Sequence, residues 1–431
     1  MKKTIAYLFI LLTWTTQALS LTIEEAVNIT IENSNRIKQF GFLSDSQGEQ
    51  VKSQRSEFYP AFDVEYAFVR QEEEVFFTSK NTSIFTVQAS YNLFKGFIDK
   101  YNLDKEKYRF EANLYQEKAV TSDVIFQAKR AFIDVLKTSS NLEVAREAVE
   151  LLERQKRDSE LRFREGLIAK NDLLSVEVDL ASARFTQLQV ESNLKTARET
   201  LMRIMGRPLD PDEILEKPDA PAELVLDRGA LREEMFEKRS ELKFLRALIL
   251  ADTSEVAAIE GEYWPSVDFL LTYRRLGDSI APDGRGGLFV IDTELSGLIL
   301  ASWNLFEGYR TAHDRAAKKK EMLAREEELK DLEKEVDLQL EKALERYRIS
   351  NGQIEVTENA IEQAEENLRI TNNQYKEKVV TITDLLDARV RLTRAQFEFN
   401  TAFFNLLLSL AEIERVVELE TSFLLSQKGA E

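Results

Sequence analysis

Residues 84–96 read IFTVQASYNLFKG. Phe85, Val87, Ala89, Tyr91 and Leu93 alternate with Thr86, Gln88, Ser90 and Asn92, the period-two pattern of a strand with one apolar and one polar face. Upstream, Phe62, Val64, Tyr66 and Phe68 alternate with Asp63 and Glu65, so residues 61–94 are expected to form a β-hairpin. Downstream of Gly96 the period changes. Val124, Ala128, Ala131, Val135, Thr138, Leu142, Ala145, Val149 and Leu152 step alternately by four and three, which is the seam of a coiled coil.

The whole arrangement occurs twice. YNLFKG from Tyr91 returns as WNLFEG from Trp303, and FREGLIAKNDLL from Phe163 returns as YKEKVVTITDLL from Tyr375, both shifted by 212 residues. Tyr59-Pro60 returns as Trp264-Pro265 with a shift of 205. The difference falls in a longer second-copy loop, LGDSIAPDGRGG from Leu276. The second hairpin is expected over residues 266–306. Its apolar side is Val267, Phe269, Leu271 and Tyr273, then Leu295, Ile299, Ala301, Trp303 and Leu305. The division that follows is a first repeat at 21–206, a Pro-rich linking segment at 207–226, a second repeat at 227–420 and a tail at 421–431. Residues 1–20 have the order of a cleaved secretory signal, with Lys2 and Lys3, an apolar run and small residues at Ala18 and Ser20.

The second seam runs Val336, Leu340, Ala343, Tyr347, Ser350 and onward at the same spacing. A helix from Phe97 to Arg164 would be about 100 Å long at ~1.5 Å per residue. No proline interrupts these stretches, in keeping with its exclusion from helix interiors. A plain coiled-coil rod would explain the helices alone. It would not explain strands of about ten residues with one apolar face and aromatics near their ends, which suit a membrane β-barrel; a soluble sandwich would need a second apolar layer to cover them. Four strands cannot close in lipid, because open edges leave backbone groups without partners. Two copies would give a barrel filled by its own side chains, whereas three leave room for a lumen.

Composition narrows the function. The net charge is −18, or −20 once Lys2 and Lys3 leave with the signal, which disfavours nucleic acid as a partner. There are no cysteines, hence no thiol catalysis, Cys-ligated metal or acylated N-terminal Cys. The one histidine, His313, lies in the charged stretch AHDRAAKKK. No catalytic, cofactor-binding or metal-binding set is expected, and the chain is not read as an enzyme.

The duplicated order of helix, hairpin and two helices, the Tyr-Pro and Leu-Phe-x-Gly boundaries, and the sequences EGLIAKNDLL and KVVTITDLLDAR together resemble the TolC family of outer-membrane efflux proteins. The resemblance implies a mainly α fold with a membrane β-barrel: a long coiled-coil tunnel, with four strands per chain contributed to a trimeric twelve-stranded barrel. It implies residence in the outer membrane of a Gram-negative-type bacterium and service in tripartite efflux or type I secretion. A periplasmic adaptor (a membrane fusion protein) and an inner-membrane pump are the implied partners, and no cofactor is. A non-conducting periplasmic scaffold or a surface adhesin is the alternative outside this family. By the same resemblance Asp384 and Asp387 match the acidic pore aperture, Asp172 and Tyr375 match contacts that close the tips, and Gly166, Leu167, Ile168, Lys378, Val379 and Val380 lie at the adaptor-docking turns. The tips are expected at 166–172 and 378–384. Two departures stand out: Lys378 replaces the usual turn glycine, and Val380 stands where some members have a basic latch residue, so the second tip is expected to have either altered turn geometry or a weaker lock. Taken alone, Asp172 also reads as a helix N-cap, and Asp384 as a first-turn acid behind Thr381 or Thr383.

Overall fold

The computed structural model describes residues 20–72, 80–210, 213–218, 224, 226–284 and 292–419. The signal, the tail from residue 420, Pro211, Pro221 and the end of the long second-copy loop lie outside these residues. The described chain forms eight α-helices and four strands: α1 (Ile23–Asn33), α2 (Asn35–Arg55), β1 (Ala61–Arg70), β2 (Asn81–Lys95), α3 (Ile98–Arg164), α4 (Lys170–Met205), α5 (Arg228–Lys238), α6 (Ser240–Gly261), β3 (Ser266–Gly277), β4 (Thr293–Ser302), α7 (Arg310–Lys376) and α8 (Ile382–Val417). The duplication extends to single residues. Both α3 and α7 have 67 residues, both α4 and α8 have 36, and each pair is offset by 212. The helix expected before each hairpin is two helices, broken at Ser34 and at Arg239 with matching extended backbone (φ −60, ψ 114 and φ −53, ψ 115).

The chain divides into two compact units, each drawing on both repeats. One contains the four strands, in the antiparallel order β1-β2-β3-β4. Register aligns Val64, Val87, Tyr273 and Leu295 in one row, Phe62, Ala89, Leu271 and Gly297 in the next, and Tyr91, Phe269 and Ile299 in a third, giving a continuous apolar face. That face is bare: Phe62 is 73% and Ile299 67% exposed. The opposite face carries Glu65, Thr86, Arg274 and Glu294, then Asp63, Gln88, Thr272 and Ser296. Three details differ from the sequence reading. A bulge at Asn92/Phe94 hands the apolar row to Phe94, paired with Val267, rather than to Leu93; β4 ends at Ser302 rather than reaching Leu305; and Leu270, Leu298 and Leu300 stand on the otherwise polar face. Among the described residues the outer edges of β1 and β4 pair with nothing.

The Leu-Phe-x-Gly boundary now has a physical explanation. Gly96 and Phe97 are consecutive left-handed residues (φ 60 and 63), as are Gly308 and Tyr309 (φ 68 and 65). The reversal turns strand into long helix and stacks an aromatic pair edge-to-face, Phe94 on Phe97 and Phe306 on Tyr309. A Cβ on Gly96 would stand 2.1 Å from the Gly261 carbonyl oxygen, so only glycine fits there. Exposed Tyr59, Tyr263, Trp264, Trp303 and Phe306 cluster in sequence at these junctions, where an interfacial girdle would lie.

The second unit holds α1, α4, α5 and α8, with α3 and α7 from Val120 and Val336 onward. Its core joins Leu21 and Ala26 to Phe132, Leu201, Met205, Phe404 and Leu407. The linking segment is fastened by a bridge between Leu21 and Leu215 and by the Lys217 ammonium, 4.5 Å from the Phe403 ring centre. The expected seams are the buried sides: Val124, Ala128 and Val135 on α3, Val336, Leu340 and Ala343 on α7, and Leu385, Ala388, Leu406 and Ile413 on α8. Small residues at these positions let the helices approach closely. No described helix is long and apolar enough to cross a membrane.

Candidate functional site at the helix tips

The two tips are built alike. At the end of α3, Gly166 N–H donates to the Phe163 carbonyl (3.0 Å) and Leu167 N–H reaches back to the Arg162 carbonyl (2.8 Å). At the end of α7, Lys378 N–H donates to the Tyr375 carbonyl (3.1 Å) and Val379 N–H to the Gln374 carbonyl (2.8 Å). This is the Schellman pattern, whose turn residue is left-handed. Gly166 has φ 73 and Lys378 has φ 59. The second turn therefore keeps its geometry despite the missing glycine, contrary to expectation, and Lys378 bears the steric cost. Both turns present an exposed apolar residue, Leu167 or Val379, with Ile168 and Val380 half-buried behind.

The helices leaving the turns begin at Lys170 and Ile382, with Ala169 and Thr381 as N-caps. Asp172 and Asp384 are thus equivalent third-position residues, and the N-cap reading of Asp172 is corrected. Ala169 N–H donates to the Asp172 carboxylate (3.2 Å). Thr381 donates to Asp384 from both its hydroxyl (2.6 Å) and its backbone N–H (2.8 Å), and Asp384 N–H returns a bond to the hydroxyl (3.3 Å). That reciprocal box closes only in the second copy, because Ala169 has no side-chain oxygen. The Thr381 hydroxyl, then its backbone N–H, hold the Asp384 carboxyl below its usual range. Asp387 lies one turn further along α8, and both aspartates are exposed.

Tyr375 packs against Val176, Ile382, Leu385 and Leu386, with the Arg162 guanidinium 5.5 Å from its ring centre. Its hydroxyl is buried without a hydrogen-bond partner, and burial raises its pKa. Asp172 is near enough for its charge to be felt there, but its bond goes to Ala169. Within one chain the two expected closing residues are thus neighbours that do not bond.

The outer membrane efflux protein family model matches residues 26–207 and again 231–417. The chain belongs to that family. It is an outer-membrane efflux channel of the TolC type, reaching into the periplasm. No curated protein sequence matches it. Solved structures share the fold at low identity: CusC, in structures concerned with folding and transmembrane channel formation (12% identical, TM-score 0.82, 92% of this chain and 91% of that one); the CmeC outer membrane channel of Campylobacter jejuni (14%, 0.78, 92% and 85%); and the open state of the MtrE outer membrane channel of Neisseria gonorrhoeae (14%, 0.76, 92% and 88%).

Sequence reasoning missed two residues beside the tips, Asp179 and Arg389. Neither lies on a seam, and although Arg389 closes the tip sequence KVVTITDLLDAR, nothing in the periodicity singles it out there.

Proposed function

We propose that three copies of this chain join edge to edge, β4 of one to β1 of the next, into a twelve-stranded barrel continued by a helical bore, and that the assembly is a passive exit duct. The observation that carries this reading is the sheet. Among the described residues its two edges are unpaired, and one face is apolar across the three rows from Val64 to Ile299, an arrangement with no stable place in lipid until copies close a cylinder. The long helices agree with it. Phe185 and Leu188 on α4, and Ile349 and Ile370 on α7, are exposed apolar residues at helical spacing, as surfaces awaiting a second copy would be.

In this duct Asp384 and Asp387 line the narrowest opening, a ring that attracts cations and repels anions. The bonds from Thr381 keep Asp384 charged within that ring. Asp172 of one copy accepts from the Tyr375 hydroxyl of another once the tip shifts to uncover that hydroxyl, which is buried without a partner among the described residues of its own chain; only one Asp172 oxygen is engaged by Ala169. The turns at Gly166, Leu167, Ile168, Lys378, Val379 and Val380 dock a periplasmic adaptor that joins the duct to an inner-membrane pump, in efflux of small molecules or type I secretion. Planar-bilayer recording of the purified protein tests the reading. Discrete cation-selective conductance is expected, and an absence of conductance from membrane-inserted protein contradicts it.

A further inference from the structure

Helices α3, α4, α7 and α8 enclose an open-sided cavity of about 830 Å³, within the size range of small-molecule sites. Its wall includes Leu151, Leu152, Val356, Leu386, Val390 and Phe397. Two groups of opposite charge also line it: Asp179 from α4 and Arg389 from α8. Burial, then the nearby charge of Asp387, raises the Asp179 pKa, and burial, then Arg154, lowers that of Arg389. Arg389 donates to the Leu151 carbonyl (3.3 Å) and to Gln155 Oε1 (3.2 Å), both neutral acceptors on α3. Among the described residues neither Asp179 nor Arg389 forms an ion pair. Of the other charged residues on the wall, Arg394 is paired with Glu398 (2.8 Å), and Glu147 is exposed to solvent.

A partly desolvated charge without a counter-charge is unfavourable, and here two of opposite sign share one apolar cavity without meeting. We propose that the cavity binds a drug-sized amphiphile bearing an ammonium and a carboxylate on an apolar body, the ammonium at Asp179 and the carboxylate at Arg389. Binding stands apart from the duct reading; only its use as a resting place for cargo beside Asp387 depends on it.

The test is fluorescence titration of the full-length protein in lipid nanodiscs with three probes sharing one apolar body: Nε-dansyl-lysine, dansylcadaverine with the ammonium alone, and dansylglycine with the carboxylate alone. Saturable binding of the zwitterion is expected, about tenfold tighter than either single-charge probe, as one charge-assisted hydrogen bond is worth. Asp179→Asn should weaken dansyl-lysine and dansylcadaverine by about tenfold and spare dansylglycine. Arg389→Gln should do the converse, and Arg389→Lys, which keeps the charge, should restore most of the carboxylate preference. Equal affinity for all three probes, no saturable binding, or wild-type titrations from Asp179→Asn would overturn the site. Conductance of the same preparation reads the duct separately, so a conducting protein that ignores the probes rejects the cavity site alone.

Discussion

Lys378 occupies the backbone conformation that Gly166 occupies one repeat earlier, with φ 59 against 73 and the same pair of turn hydrogen bonds. The substitution recurs at the far end of the next helix, where Glu418 (φ 55) stands in place of Gly206 (φ 67). A left-handed backbone costs a residue with a Cβ on the order of 1–2 kcal/mol. Lys378→Gly should therefore stabilise the protein by about 1 kcal/mol after the added unfolded-chain entropy is subtracted, and Glu418→Gly by less, because it also gives up the largely buried ion pair with Arg415 at 3.6 Å. Gly166→Ala, with open space around its Cβ, should destabilise by a similar amount through φ alone. Thermal unfolding of the three variants checks the signs.

Lys129 and Glu414 form an ion pair at 2.5 Å in which the side chains are 4% and 5% exposed. Removing one partner leaves a buried charge uncompensated, so Lys129→Met should destabilise by about 3–5 kcal/mol. The double variant Lys129→Met with Glu414→Leu should recover most of that loss. A double variant as unstable as the single one would show that Glu414 matters chiefly through its other contacts.

At the start of α8, the Thr381 hydroxyl keeps Asp384 ionised to lower pH than an ordinary aspartate. With the folded pKa depressed, the stabilisation from this bond is present above the unfolded pKa and lost as pH falls through the folded one. Thr381→Val removes the hydroxyl donor, so block of the conductance by multivalent cations should fade at a higher pH than in the wild type. Asp384→Ala with Asp387→Ala should weaken the block at every pH. Unchanged block in the double variant would remove both residues from the aperture.

For the closing contact, Tyr375→Phe deletes a hydroxyl that has no partner within its own chain, which is close to neutral for the fold of a single copy. If Asp172 of a neighbouring copy takes that hydrogen, the variant should show several-fold higher single-channel conductance. Wild-type conductance would exclude Tyr375 from the latch.

Much of this architecture was legible because period and duplication report backbone geometry directly. The two-residue alternation through Phe85 to Tyr91 and the four-three steps from Val124 each follow from side chains facing one neighbour, and the shifts of 205 and 212 carried the assignments across to the second copy. What failed depended on local backbone. The Asn92 bulge moves the apolar row from Leu93 to Phe94 without a compositional sign, and Lys378 accepts a glycine conformation that its side chain disfavours. Leu270, Leu298 and Leu300 break the alternation and were passed over because their neighbours fit it. At the site, Asp172 and Asp384 were read as doing different things, yet they are the same position of the repeat. Only the cap residues before them, Ala169 and Thr381, differ in what they can donate. Asp179 and Arg389 acquire meaning solely from the cavity they share, which no one-dimensional pattern contains.

The number of copies per particle decides the central claim. Native mass determination of the mature protein extracted from outer membranes should give three chains, held together without covalent links. A single chain that stays monodisperse in detergent-free buffer would contradict the duct.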